Sequence, residues 1–245
     1  MKVSIAIPAR LTSKRLPRKV LMPLNGKPVL QHIWERAQRC RHADEVIVLV
    51  DSEELQAVVR SWGARCVLTN PNCQSGTERI IEALSAFKNE FVVNIQGDEP
   101  FMRPELVDAL AERHFDTRVE MLTVVFPIKD SEMLFSPNTV KVVRRNDGSA
   151  LYFSRAAIPV NRDVPQPDWL QKHTYWGHIG LYGYTRMLLE SFKAFPRGLD
   201  AIESLEQLRF LQNGVTIQTV ETDRPTLSID TIEDYRLAQQ QIRDT

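Results

Sequence analysis

The amino-acid sequence predicts an α/β fold, doubly wound around a mostly parallel sheet, with a smaller β-rich part following it. Two patterns carry that prediction. Through the first half of the 245 residues, short apolar runs alternate with stretches whose apolar residues recur at helical spacing. The apolar runs are nearly continuous, as in parallel strands covered on both faces, and lack the polar alternation of half-exposed strands. From about residue 121 the texture changes to short strand-like segments separated by turns. An α/β chain of this length commonly stays one compact unit.

Residues 3–7 open the chain as a strand, and 45–50, 65–68 and 91–95 supply three more of the same texture. Around them, 29–41, 53–62, 77–87 and 104–114 read as amphipathic helices. Pro28 and Pro104 stand where a first helical turn tolerates proline, because an N–H there has no intrahelical partner. Ser52 and Ser75 are placed to cap helix starts with a side-chain oxygen. The β-rich part comprises 121–126, 139–144, 151–153 and 179–184, with Asn146-Asp147-Gly148 as a hairpin turn. Residues 159–176 hold three prolines and no periodicity, which predicts a mobile loop. Helices over 185–195 and 201–213, a strand over 215–220 and a last helix over 232–242 complete the chain.

Hydrophobic residues make up 43% and charged residues 25%, so a real core is available and a disordered or fibrous chain is excluded. Lys and Arg number 31 against 31 Asp and Glu, leaving no net field to draw in nucleic acid; the positive charge that matters is local. Cys40, Cys66 and Cys73 are odd in number and lack metal-site spacing, which argues against both a disulfide framework and a structural zinc. Met1-Lys2 leads straight into a strand, without a signal-peptide layout, and no apolar run approaches the roughly 20 residues of a membrane span. The expectation is a cytoplasmic protein with no membrane partner.

The chemistry is concentrated after the first strand, where Arg10, Lys14, Arg15, Arg18 and Lys19 put five cations into ten residues. Parallel strands point their carboxyl ends at a shared crevice, so a loop there faces a ligand. Pro8 and Pro17 restrict both ends of the loop and hold its charges in place. A phosphate site is the functional reading, and a solvated basic face is the competing one. Neither a Walker pattern nor Gly-x-Gly-x-x-Gly occurs, so any nucleotide is bound by another design. Asp98 follows the strand 91–95 and falls at the same edge, where a carboxylate can hold Mg²⁺ against phosphates; an ordinary turn aspartate is the alternative. Residues 74–79 precede a helix, where Ser75 could meet a base or phosphate edge or serve as a cap.

Six further segments occur in order after the basic loop. They are Gln74-Ser75-Gly76-Thr77-Glu78-Arg79, Asn94-Ile95-Gln96-Gly97-Asp98-Glu99-Pro100, Ala150-Leu151-Tyr152-Phe153-Ser154-Arg155, His178-Ile179-Gly180-Leu181-Tyr182-Gly183-Tyr184, Leu205-Glu206-Gln207-Leu208-Arg209 and Ile229-Asp230-Thr231. Together they resemble the 3-deoxy-manno-octulosonate cytidylyltransferase family, nucleotidyltransferases that activate acidic keto-sugars.

The resemblance implies a nucleotide-diphospho-sugar transferase-like, Rossmann-like fold in one domain, 1–245. Residues 1–120 would mainly bind CTP, about 121–213 would bind the sugar and form much of a homodimer interface, and 214–245 would return to the core sheet. It implies transfer of CMP from CTP to 3-deoxy-D-manno-octulosonate (Kdo), with pyrophosphate released, for lipopolysaccharide or capsule assembly. By the resemblance, Arg10, Ser13, Arg15 and Lys19 contact the triphosphate, Arg10, Lys19 and Asp98 being catalytic. Ser75 and Arg79 read the cytosine and ribose side. Gln96, Arg155, His178, Tyr182, Glu206 and Gln207 surround the sugar acid, and Asp98 and Asp230 share Mg²⁺.

Two departures stand out. The family commonly reads Arg-Leu-Pro-Gly-Lys-Pro, and here Arg18 and Val20 replace the glycine and second proline. Arg18 would add a phosphate contact, turn outward, or lower activity. Asp230 lies in Ser228-Ile229-Asp230-Thr231-Ile232 where the family usually has Gly-Val-Asp-Thr-Pro, so the ligand itself is kept. The alternatives are a synthetase for 8-amino-Kdo or a nonulosonate, and a catalytically silent nucleotide-binding paralogue. A glycosyltransferase is disfavoured because Gly97-Asp98-Glu99 supplies no Asp-x-Asp.

Overall fold

A computed structural model describes residues 1–13 and 15–243; Lys14, a member of the basic run, lies outside the described residues, as do Asp244 and Thr245. The strands are β1 Val3–Pro8, β2 Pro23–Leu24, β3 Lys27–Pro28, β4 Ala43–Val50, β5 Arg65–Leu68, β6 Phe91–Ile95, β7 Met121–Pro127, β8 Lys141–Arg144, β9 Ala150–Ser154, β10 Trp176–Thr185 and β11 Ile217–Glu221. The helices are α1 Val29–Ala37, α2 Glu53–Ser61, α3 Gly76–Glu82, α4 Pro104–Thr117, α5 Ser131–Phe135, α6 Trp169–Lys172, α7 Arg186–Ser191, α8 Leu199–Glu203, α9 Gln207–Gln212 and α10 Ile232–Gln241.

The main sheet runs β11-β7-β10-β6-β1-β4-β5. β1 pairs in parallel with β4 and β6, β4 with β5, and β11 with β7. β10 runs antiparallel between β6 and β7, and the β8–β9 hairpin joins through β8. The strands of the β-rich half therefore extend the sheet begun by the first half.

Each central strand is mostly apolar on both faces because it feeds two cores. Along β4, Val46, Val48 and Val50 pack into one cluster with Leu30 and Ile33 of α1 and Leu106 and Leu110 of α4. Ile47 and Leu49 point the other way, among Ile80 of α3, Leu188 of α7 and Leu208 of α9. That is the doubly wound arrangement the continuous apolar runs predicted.

Several elements differ from expectation: the β2–β3 pair and α5 were not foreseen, and the helix expected over 185–195 stops at Ser191 and ends in a tight turn, Phe192–Ala194. The helix expected over 77–87 stops at Glu82 and finishes as a single tight turn, Leu84–Ala86. The helix expected over 201–213 is cut at Ser204, whose φ of 54° ends α8 and lets α9 restart. The segment 159–176, expected to be a mobile loop, carries α6. Trp169 of α6 is 5% exposed, stacks on Tyr175 at 5.7 Å and donates its indole N–H to Val164 O. A single aromatic anchor leaves no periodicity in the sequence. No helix among the described residues is long and apolar enough to cross a membrane.

Candidate active site

The site is built where β1 and β6 end side by side. Gly97 follows β6 so closely under the end of β1 that a Cβ would sit 2.8 Å from Pro8 O. Only glycine allows that approach, and it delivers Asp98 to the basic loop. The loop closes through Arg18 N–H to Leu11 O at 2.9 Å, and buried Val20 anchors the tight turn Lys19–Leu21 below it. From the far end of the chain, the Ile229 N–H donates to Asp98 O at 2.8 Å, pinning the Asp230 segment alongside. A capping box between Thr231 and Asp234 fixes the start of α10 immediately after Asp230.

The two carboxylates converge on one ammonium. Lys19 Nζ lies 2.5 Å from Asp98 Oδ2 and 2.8 Å from Asp230 Oδ1, and Arg15 reaches Asp230 Oδ2 at 2.8 Å. Burial alone would lower the Lys19 pKa, but the carboxylates outweigh it and the net shift is upward. Burial likewise pushes Asp230 up, yet its bonds to Lys19 and Arg15 hold it below the usual carboxylate range. Both groups are ionised at neutral pH. Behind them Glu99 accepts a hydrogen bond from Thr226 at 2.6 Å, and burial pushes its carboxyl up to about 7.

This donor set fits a magnesium ion. Two carboxylate oxygens already share one positive centre, the Lys19 ammonium. Mg²⁺ characteristically takes one or two carboxylates and leaves its other positions to phosphate oxygens and water.

Two adjoining cavities meet at these carboxylates. One, of about 890 Å³, is lined by Arg10, Ser13, Arg15, Lys19, Ser75 and Arg79. Arg10 stands exposed at its wall. The Ser13 hydroxyl accepts from Leu16 N–H at 3.4 Å. Ser75 caps α3, accepting from Glu78 N–H at 3.2 Å. Arg79 is buried beneath the neighbouring loop, bonded to Thr69 Oγ1 and to Asn70 O.

The other cavity, of about 1010 Å³, is lined by Gln96, Arg155, His178, Tyr182, Glu206 and Gln207. Arg15, Gln96, Asp98, Glu206 and Asp230 border both. Arg155 braces this wall by donating to the carbonyls of Glu203, Pro137 and Ser204. Thr123 gives its proton to Leu181 O at 2.9 Å, so at 2.8 Å it accepts from His178 Nε2–H. That fixes the tautomer and leaves His178 Nδ1 as an acceptor, in a ring that burial pushes down to about 3 and keeps neutral. The Tyr182 hydroxyl donates to Gln207 Oε1 at 3.0 Å. Gln207 Nε2 and Glu206 Oε2 are buried with no hydrogen-bond partner among the described residues, and both residues border this cavity.

Sequence reasoning missed Asn94, which lines the second cavity and accepts from Gln96 Nε2 at 3.2 Å. A lone amide inside the apolar run of β6 was the available signal. Asn138 and Arg224 also line that cavity and carried no signal. Arg18 takes a left-handed backbone, φ 60°, and turns outward to form a forked ion pair with Glu54 of α2.

A family model described as cytidylyltransferase matches residues 5–217. The chain belongs to the cytidylyltransferase family. Among family members, a 3-deoxy-manno-octulosonate cytidylyltransferase of Chlorobium phaeobacteroides is 42% identical, covering all of this chain and 98% of that protein. An 8-amino-3,8-dideoxy-manno-octulosonate cytidylyltransferase of a Shewanella strain is 39% identical over 99% of both chains. A solved CMP:2-keto-3-deoxy-manno-octonic acid synthetase, complexed with CTP, superposes with a TM-score of 0.92 at 34% identity, covering 100% of this chain and 99% of that one.

Proposed function

We propose that this cytidylyltransferase moves CMP from CTP to Kdo and releases pyrophosphate, with Mg²⁺ as its cofactor. The observation that carries the reading is the meeting of a cationic loop and two carboxylates on the boundary between two cavities. A reaction between a polyanionic nucleotide and an acidic sugar needs that arrangement, because like charges must be neutralised and aligned at a shared point.

Arg10, Ser13, Arg15 and Lys19 bind the triphosphate, arginine as a fork of donors and lysine as a point charge. Ser75 and Arg79 lie on the base and ribose side. In the second cavity Arg155, Gln96 and Gln207 offer N–H donors to the sugar's carboxylate and hydroxyls, Tyr182 holds Gln207, and Glu206 and His178 Nδ1 accept from hydroxyls. Mg²⁺, held by Asp98 and Asp230 when bound, would supply charge neutralisation at the phosphates. The anomeric hydroxyl attacks the α-phosphorus in line and loses its proton to solvent, the bond to the β-phosphate breaks, and the loop cations neutralise the charge on the departing pyrophosphate. Catalysis of this kind is positioning plus electrostatics, with no covalent enzyme intermediate.

The Shewanella relative supports a second reading, the 8-amino sugar acid. Pyrophosphate release should be measured with CTP, Mg²⁺ and each sugar acid in turn, including a nonulosonate. Turnover with Kdo fastest of the panel is the expected result; CTP binding without turnover of any sugar would indicate a silent paralogue. Asp98→Asn and Asp230→Asn should each lower kcat by about 100-fold or more, the scale of a lost charge-stabilising group. An unchanged rate in either variant would overturn the metal assignment.

A further inference from the structure

We infer that Lys19 is a resident cation that keeps the paired carboxylates closed until a divalent ion displaces it, so that metal entry and release of Lys19 to the nucleotide are one exchange. The inference rests on the assignment of Asp98 and Asp230 as the metal's carboxylates.

The geometry is specific. Lys19 spends two of its three ammonium donors on Asp98 Oδ2 and Asp230 Oδ1, at 2.5 and 2.8 Å, and its side chain is only 11% exposed. Arg15 takes the other oxygen of Asp230. Two positive side chains thus balance two negative ones, with the ammonium wedged between the oxygens. A magnesium ion bonds oxygen at about 2.0–2.1 Å. It cannot draw in both oxygens while an ammonium fills the space between them.

The competition has two consequences. Without nucleotide, the carboxylates bind a divalent ion weakly, because the ion must break two short charge-assisted bonds and leave the ammonium with fewer partners. Once displaced, Lys19 has lost its anions and stands on the wall of the nucleotide cavity, where phosphate oxygens replace them. Metal and triphosphate therefore favour each other through a side chain that neither touches in the resting state. Val20, buried directly after Lys19, fixes the backbone so that the exchange needs only side-chain movement.

The probe is Mn²⁺, titrated by electron paramagnetic resonance into the full chain without nucleotide or sugar. Lys19→Met should bind Mn²⁺ at least about tenfold more tightly than the wild type, whereas Lys19→Arg, which keeps a cation, should stay close to wild type. Adding Asp98→Asn to Lys19→Met should remove the gain. Equal or weaker affinity in Lys19→Met, with a further loss on adding Asp98→Asn, would overturn the exchange and leave the metal assignment standing. A Lys19→Met affinity indifferent to Asp98→Asn would overturn both. Should Lys19→Met fail to fold, ¹⁵N resonances of lysine ammonium groups in the wild type give the second readout. Mg²⁺ alone should shift the Lys19 signal, and a static signal at saturating Mg²⁺ would overturn the exchange.

Discussion

Lys141 is fully buried, and its ammonium donates to the carbonyls of Ser136, Thr139 and Arg155 at 2.8, 2.6 and 2.6 Å. All three of its donors are used. Thr139 and Arg155 border the larger cavity, so Lys141 fastens a wall of it without facing the ligand. Burial, assisted by the Arg155 cation and opposed by Glu203, pushes the ammonium down to about 8 from its ordinary 10.5. Between those values the unfolded chain keeps a proton that the native protein has released. Stability owed to this group therefore rises with pH through that window. Lys141→Met takes a donor from three carbonyls, of which Ser136 O keeps the Thr139 N–H, at a cost of roughly 2–5 kcal/mol. Thermal denaturation should show a lower Tm for the variant, and the gap from wild type should widen between about pH 8 and about pH 10. A gap that narrows over that interval would contradict the assignment.

At the scale of elements, the strands were the most legible part of the fold, because each of β1, β4 and β6 must satisfy two cores and so cannot carry polar alternation. Backbone conformations of isolated residues were not legible. Nothing in the composition around Ser204 announces its φ of 54°, yet that break separates α8 from α9 and sets Glu206 and Gln207 at the cavity. Arg18 poses the same problem in the basic loop. Its φ of 60° is the conformation that the family's glycine adopts without strain, and the arginine occupies it while pairing with Glu54. The ion pair is solvent-exposed and contributes little, whereas the backbone demand is local and strict. Arg18→Gly should therefore leave the Tm no lower and KM for CTP within about twofold of wild type. Arg18→Val, branched at Cβ where positive φ is least tolerated, should raise KM for CTP by about tenfold. Comparable KM values for the two variants would mean that the side chain, and not the turn, governs the loop.

At the scale of the whole molecule, the convergence of Asp98 and Asp230 came from a resemblance and not from periodicity, since the contact that makes it, Ile229 N–H to Asp98 O, joins distant stretches of chain. Assembly poses a question of the same order. Nine large apolar side chains are exposed among the described residues, and five of them, Phe135, Leu151, Val160, Met187 and Ile202, fall within 121–213. The resemblance assigns much of a homodimer interface to that same stretch, and exposed apolar surface is what such an interface would cover. Ile202, at 81% exposure, is the most open of them and neighbours Glu203. The Glu203 carboxylate accepts from Ser154 Oγ at 2.7 Å and from Arg155 N–H at 3.0 Å, tying α8 to the end of β9 and to Arg155 directly after it. A partner seated on α8 would therefore bear on both cavities, through Asp200 and Ala201 on the wall beside the basic loop and through Arg155 on the wall of the other. Sedimentation should give a dimer for the wild type and a monomer for Ile202→Arg at micromolar concentration. The same variant should raise KM for both CTP and the sugar acid several-fold, because α8 lines one cavity and braces the wall of the other. A monomeric wild type would refute the dimer, and a dimeric Ile202→Arg with both KM values unchanged would remove α8 from its interface.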